Sequence, residues 1–325
     1  MALITALLLT AIVSVLAVSM VSAQRIDIRR TQNVIDNDRA YVLALGVEAW
    51  VKHLLIRDQN NSTIDSLDEQ WATVLPPIAV EGGTISGQLH DLSGRFNINN
   101  LLNAEGGVDA LQKERFGRLL DGLGIDRSLV NAVIDWLDAN QQANFPGAED
   151  DEYLSYESPY RTADRPMVSP SELRLVKGVT AEVFQTLVPH VATLPRGSRI
   201  NVNTATAPVL AALVEGVTPA DAQAMVEARE EGPWESVAAF RQDPVFSAVI
   251  TGSDPVDGST GGGQRADASP PNGLADLDQV IDVKTEYFLM DATTHFGERG
   301  RSHLYSVLRR VRGKVDVLMR SRGIY

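Results

Sequence analysis

The first 23 residues, MALITALLLTAIVSVLAVSMVSA, carry no charged side chain. At about 1.5 Å per helical residue such a run reaches roughly 35 Å, enough to cross a bilayer core. From Gln24 to about Arg57 there is no proline, and Gly46 is the one glycine. Val47, Val51 and Leu54 recur at i, i+4 and i+7, and Val34, Tyr41 and Leu45 extend the stripe loosely. The spacing predicts one helix from Met1 to near Asp58, apolar all round at first and amphipathic later. Pro76-Pro77 ends the next segment, and residues 85–92 and 96–98 read as strands flanking a Ser93-Gly94 turn. From Asn99 to about Asp243 the pattern is helical. Strand signals return over 283–293, where Val283, Thr285, Tyr287 and Leu289 alternate with Lys284, Glu286 and Phe288, and over 303–318.

The helical block thus reads as an insertion within a β unit, giving an α+β chain. The expected division is a transmembrane part over 1–23, the rest of the long helix with the first strands over 24–98, and an inserted all-helical domain over 99–250. A flexible Gly/Ser/Pro/Asp-rich loop over 251–273 follows, then the last strands over 274–325. The loop lacks the apolar residues needed to offset ordering entropy.

Within the helical block three segments share a hairpin pattern. Each has a glycine (Gly124, Gly178, Gly216), a β-branched apolar residue (Ile125, Val179, Val217) and a capping residue (Asp126, Thr180, Thr218). The glycine takes the left-handed conformation that ends one helix, and the Asp or Thr accepts from free amides of the next. The apolar residue staples onto the new helix, Ile125 on Val130 and Val179 on Phe184. Pro219 suits a first helical position, and Ser169, Pro170 and Glu172 form a capping box.

Composition narrows the function classes. The chain has 325 residues, 44% of them hydrophobic, and a formal net charge of −13. A polyanion such as DNA is repelled unless basic residues cluster. With no cysteine, disulfides, thiolate metal sites and cysteine nucleophiles are excluded. No basic n-region precedes the apolar run, unlike a cleavable signal peptide, whereas Arg25, Arg29 and Arg30 follow it. The positive-inside rule alone puts the remainder in the cytoplasm. A basic leader already removed, with Met1 the first residue of a processed chain, accounts for the reversed polarity.

One segment gathers oxygen ligands. DWLDANQQANFPGAEDDEY begins with Asp135 and Asp138 on one helix face, passes Asn140, Gln142 and Asn144, and closes on Glu149, Asp150, Asp151 and Glu152. So many oxygens repel one another unless a cation sits among them, and calcium favours six to eight such ligands. The spacing partly imitates an EF-hand, with Asp138, Asn140, Gln142, Asn144 and Glu149 at positions 1, 3, 5, 7 and 12. Ala143 stands where that loop needs glycine and Pro146 occupies position 9, so a loop calcium site or a solvated acidic loop are the two readings.

No G-x-S-x-G elbow, P-loop or H-E-x-x-H is present, and His53, His90, His190, His295 and His303 are scattered, so no catalytic role is expected. The run from Ile200 to Phe240 resembles the helix-hairpin-helix domain of membrane-anchored DNA-uptake receptors. Thr218 replaces the second glycine of that hairpin, and Glu215, Asp221, Glu227, Glu230 and Glu231 surround Arg229.

Taken together, ALITALLLTAIVSVLAV, LHDLSGRFNINNL, DWLDAN followed by GAEDDEYL, SPYRTADRPMVSPSELRLVKGV and INVNTATAPVLAAL resemble the general secretion pathway protein K family, the K-type minor pseudopilins of type II secretion systems. The resemblance implies a pilin-like fold with a large α-domain inserted between spine helix and sheet. It implies calcium in that domain, with Asp138, Glu149 and Asp150 the leading ligands and Asp135, Asn140 and Asp151 next. It implies processing by a prepilin peptidase, N-terminal methylation, and a single-pass inner-membrane anchor with the soluble part in the periplasm. Expected partners are the I- and J-type minor pseudopilins, the major pseudopilin and the inner-membrane assembly platform, not nucleic acid. Thr5 stands where pilins usually carry glutamate, which suits the topmost subunit of a pseudopilus. The competing readings are a DNA-uptake receptor and a minor pilin of a type IV pilus.

Overall fold

The computed structural model describes residues 2–251 and 273–323. Met1, and the predicted flexible loop apart from its two ends, lie outside the described residues.

α1 (Ala2–Asn61) is one unbroken helix. Its apolar part has a mean hydropathy of 2.5, and none of it is buried by the rest of the chain. Further along, Ala40, Ala44, Val47, Val51, Leu54 and Leu55 form the buried stripe, the spacing that lays one face of a helix on a sheet. β1 (Leu75–Val80) and β2 (Gly83–Asp91) follow. Pro76 and Pro77, expected to end a segment, sit inside β1. They are tolerated because β1 is the sheet edge and is bulged between Leu75 and Ile78.

The inserted part contains β3 (Phe96–Asn97), α2 (Ala110–Gly122), α3 (Leu129–Leu137), α4 (Asp150–Tyr153), α5 (Ala181–Leu187), β4 (Val191–Ala192), β5 (Ile200–Asn201), α6 (Ala207–Leu213), α7 (Pro219–Glu231), α8 (Val237–Arg241), α9 (Pro244–Thr251), α10 (Leu277–Val280) and β6 (Ile281–Asp282). It is not purely helical: β3 pairs with β4 and β5 with β6, both in parallel. Residues 96–98 therefore do not form a hairpin with β2 across Ser93-Gly94. Gly124, Gly178 and Gly216 all have positive φ (69, 86 and 94°). Thr180 caps α5, and Thr218 makes a capping box with Asp221 at the start of α7. Ser169 and Glu172 form the predicted capping box, but it opens a 3₁₀ turn. Asp126 accepts from Ser128 N just before α3 instead of capping it.

β7 (Tyr287–Phe296), β8 (Gly300–Val311) and β9 (Lys314–Arg322) complete an antiparallel sheet of order β1-β2-β7-β8-β9. The predicted strand over 303–318 is thus two strands, turned at Arg312-Gly313 where both residues have positive φ, the two-residue geometry that matches strand twist. The alternation expected along β7 is replaced by burial on both faces. Phe288, Met290 and Ala292 face α1, while Tyr287 and Leu289 meet Leu92, Ala192 and Leu194.

Contacts along α1 orient the sheet. Thr294 Oγ1 donates to Ala40 O (2.7 Å), Ser306 Oγ to Glu48 (2.7 Å), and Arg310 to Leu55 O (3.3 Å) and Asp58 (2.8 Å). The β7–β8 turn is therefore nearest the apolar end of α1. The inserted part leaves the sheet at the opposite pole, beside Asn61.

Arg310 closes that pole. Its guanidinium also bonds to Asp65 and to Thr285 O (3.1 Å), and lies over Phe288, 4.8 Å from the ring centre. Asp65 in turn accepts from Thr285 N (2.7 Å), and its carbonyl accepts from Asn201 Nδ2 (3.0 Å). Asp91 accepts from Thr204, Thr285 (2.6 Å) and Ser93 N (2.6 Å).

Replacing Arg310 with alanine leaves Asp58 and Asp65 without their cation. An unfolding free-energy loss of about 3–5 kcal/mol is expected, read from denaturant midpoints of the full chain in detergent; a loss under about 1 kcal/mol argues against this closure. A pH effect also follows. Burial pushes Asp58 and Asp91 up to about 6, against the opposing bonds from Arg310 and from Thr204 and Thr285. Their folded values exceed the unfolded value, so the stabilising contribution is full below about 4 and is lost as pH rises through 6. Midpoints should therefore climb as pH falls from 7 to about 5, and a flat profile contradicts the assignment.

Candidate metal centre

α3 is buried at every position except Asn131. An apolar helix locked in the core gives its end little freedom, and two carboxylates stand there. Asp135 is 0% exposed and Asp138, the C-cap, is 4% exposed. The chain returns after the loop to Glu149, 5% exposed, just before α4. One carboxylate oxygen from each of the three lies within 4.8 Å of the others.

Asp135 is held by Asn144, whose side chain donates at 2.6 Å and whose backbone N donates at 3.1 Å. Gly147 lies against it: a Cβ there would fall 1.9 Å from Asp135 Oδ2. Asp138 accepts from Asn140 N (3.0 Å) and Asn140 Nδ2 (2.7 Å). Glu149 differs, since both its oxygens are buried with no hydrogen-bond partner. Burial first, then the charges of Asp135, Asp138, Asp164 and Asp150, push its carboxyl up to about 8. Burial likewise raises Asp135 and Asp138, against the donors from Asn144 and Asn140. Three converging carboxyls, one without any donor, have the chemistry of a hard-cation site.

Asp135, Asp138 and Glu149 are thus brought together, and the other predicted ligands stand apart. Asp150 turns to Thr162 (3.0 Å) and Arg161 (2.9 Å). Asn140 uses its amide nitrogen on Asp138 and its oxygen on Gln142 N (2.8 Å). Asp151 is exposed. The loop does not take an EF-hand course, because Asn144, at the seventh position, ties back onto Asp135. Sequence reasoning missed Asp164, whose charge raises both Asp138 and Glu149 and whose φ is +49°. It also missed Gly147. Asp is among the few non-glycine residues that readily take a positive φ, but one aspartate among many gives no address, whereas Gly147 after Pro146 was a readable signal.

A second acidic group, Asp58, Asp65 and Glu69, also converges. Arg310 already occupies it, and Glu69 accepts from Trp71 Nε1 (2.8 Å). In the 200–240 hairpin, Arg229 is buried and donates to Val202 O (2.8 Å) and Ala205 O (2.6 Å). The cation that would have served DNA is inside the core, and Asp221 and Glu227 remain outside. Thr5 Oγ1 donates to Ala2 O (2.9 Å) within α1.

Two family models, both described as type II secretion system protein K, match residues 94–196 and 200–257. The second covers the segment that resembles the DNA-uptake hairpin. The type II secretion system protein K of Pseudomonas aeruginosa is 33% identical, over 99% of this chain and 92% of that protein. That of Klebsiella pneumoniae is 33% identical over 77% and 81%. Among solved structures, the crystal structure of the GspK-GspI-GspJ complex from enterotoxigenic Escherichia coli contains a chain with the same fold. The TM-score is 0.75 at 22% identity, with 91% of this chain and 100% of that one covered. The long helix, the five-stranded sheet, the inserted helices and these matches lead to one family, and the chain belongs to the type II secretion system protein K family of minor pseudopilins.

Proposed function

We propose that this minor pseudopilin caps the tip of a pseudopilus together with I- and J-type minor pseudopilins and starts its assembly. The observation that carries the reading is where the bulk lies. The inserted part is joined to the sheet at the pole beside Asn61, opposite the apolar end of α1. A subunit bearing such a mass beyond its spine obstructs another stacking above it. The solved relative in complex with GspI and GspJ supports this choice of partners. The apolar span of α1 fits a single-pass anchor. In this reading the span lies in the inner membrane, the head lies in the periplasm, and the major pseudopilin and assembly platform stack below. The chain itself supplies packing surfaces and no catalytic group.

Calcium belongs to the same reading. Asp135, Asp138 and Glu149 are the residues that would hold it, with Asp164 adjacent, and the unpartnered Glu149 carboxylate is the observation that fits the ion. The ion would supply charge neutralisation, fixing the 138–149 loop to α3.

Two measurements test this. Full-length chain co-expressed with candidate I and J subunits is expected to co-purify with both; recovery of the membrane-inserted chain without either counts against a tip role. For calcium, saturation at about 100 times the dissociation constant is expected to stabilise the chain by about 2.7 kcal/mol. A Glu149→Gln variant should lose that response. Without calcium, the Glu149 carboxyl has a folded value near 8, above its unfolded one. Its contribution is full at low pH and is lost as pH rises through 8. The chelated wild type should therefore weaken more steeply than E149Q between about pH 5 and 8, the difference being the Glu149 contribution. Gly147→Ala, which displaces Asp135, should abolish the calcium response as well. An equal response in all three proteins would place the ion elsewhere.

A further inference from the structure

The sheet is wider than the helix that covers it. Five strands set about 4.8 Å apart span roughly 19 Å, whereas a helix with its side chains is about 10 Å across. α1 packs chiefly on β7 and β8, so β1 and the near side of β2 extend beyond it. Strand pairing shows which residues that leaves bare. Thr294 Oγ1 donates to Ala40 O of α1, Ile85 stands opposite Thr294, and Ile78 stands opposite Ile85. All three therefore share the face turned to α1, and Ile78 is exposed there. Next to it along β1 lies a groove of about 390 Å³, with Trp50 and Leu54 of α1 on one wall, Val74 and Leu75 on the other, and Leu89 and Met290 as floor. Trp50 is 52% and Val74 57% exposed.

The walls decide what shape of partner fits. A strand does not: Pro76 and Pro77 have no N–H, and β1 is bulged between Leu75 and Ile78, so its free edge cannot carry a regular ladder. A helix does. Gly46 is exposed one turn before Trp50, on the same flank of α1, and a Cβ there would meet nothing within 4 Å. Helix interiors disfavour glycine, and the packing of this chain supplies no reason for one, whereas bare backbone lets a second helix approach closely. An exposed repeat leads up to that notch. Val21, Ile28, Ile35 and Val42 recur every seven residues, the spacing by which one helix runs along another. The repeat begins inside the apolar span, so a helix that follows it leaves the same membrane beside α1.

We propose that the groove and the Gly46 notch receive the apolar-faced N-terminal helix of one I- or J-type minor pseudopilin, which covers the part of the sheet that α1 leaves bare. This docking presupposes the tip assembly proposed above and names the surface it uses. The bare strip follows β1 and β2, so the partner helix lies alongside α1, and β2, nine residues long, gives it about 30 Å of floor. A partner that touched α1 alone would leave Val74 and Ile78 in water; one seated in the groove buries them.

The test uses full-length chain co-expressed with I- and J-type subunits and purified in mild detergent. Gly46→Leu fills the notch without meeting any atom of its own fold, so its unfolding midpoint should stay at or above that of the wild type. Its recovery of the partner should nevertheless fall roughly tenfold. Ile78→Arg, on the exposed edge, should lose the partner to a similar extent, and Val168→Gln, exposed on the inserted part, should behave as the wild type does. Because the chain has no cysteine, a Val74→Cys variant carries a benzophenone maleimide at one site. Irradiation is expected to link it to the N-terminal helix of the I- or J-type subunit, mapped by mass spectrometry of the cross-linked peptides. Unchanged recovery in G46L or I78R, or equal loss in V168Q, overturns the docking and leaves the tip assembly standing. So does the absence of a link from position 74, or a link to a partner's sheet or to a second copy of this chain. A wild type that recovers neither subunit removes the tip assembly itself.

Discussion

A single buried guanidinium, Arg310, carries the join between spine, sheet and inserted helices. It comes from the end of β8, yet it bonds to a carbonyl and a carboxylate near the end of α1, to Asp65 in the following loop, and to Thr285 O at the approach to β7. Desolvating an arginine and two carboxylates is unfavourable in itself, and the pairing offsets it only because the geometry satisfies several atoms at once. What it adds is position. An apolar patch would hold the same surfaces together at many registers, while a planar fork between two fixed acids accepts one.

The asparagines continue that logic into the insertion. Asn99 receives Met167 N and donates to Met167 O and Leu194 O, and Asn97 receives Leu194 N. Asn201 and Asn203 do the same toward Asp65, Thr285 and Trp234. Each side chain stands in for a strand partner at a place where the strands are two residues long. The motifs FNINN and INVNT are thus latches made of amide groups, spanning distances that short strands leave open.

These long-range roles explain what was legible beforehand. The apolar run, the α1 stripe and the glycine-plus-cap turns rest on interactions within a few residues, so periodicity and residue type reveal them. Asp135, Asp138 and Glu149 were readable because carboxylates crowd one segment. The pairing of Phe96-Asn97 with Val191-Ala192 was hidden, since nothing in a two-residue strand names its partner. Arg310 lies inside the predicted 303–318 strand with nothing in its sequence neighbourhood to name its partners, and the β8–β9 turn was obscured by Arg312 where asparagine is usual. Asp150 and Asn140 sit in the same acidic run as the three converging carboxylates but spend their atoms on Thr162, Arg161 and Gln142, a choice made by backbone course and not by composition.

The acidic centre shows how packing and charge divide the work. Its carboxylates are placed by an apolar helix with no room to move, by Asn144 and by a residue without a side chain at 147. The fold itself therefore holds like charges at close range, and the opposition appears as the upward displacement of all three carboxyls. The remaining freedom lies in the loop from Asn140 to Phe145, largely exposed and joined to the core chiefly through Asp135 and Asp138. Neutralising the cluster would remove the repulsion at both ends of that loop, so any surface the loop presents is coupled to occupancy of the centre through Asn140 and Asn144.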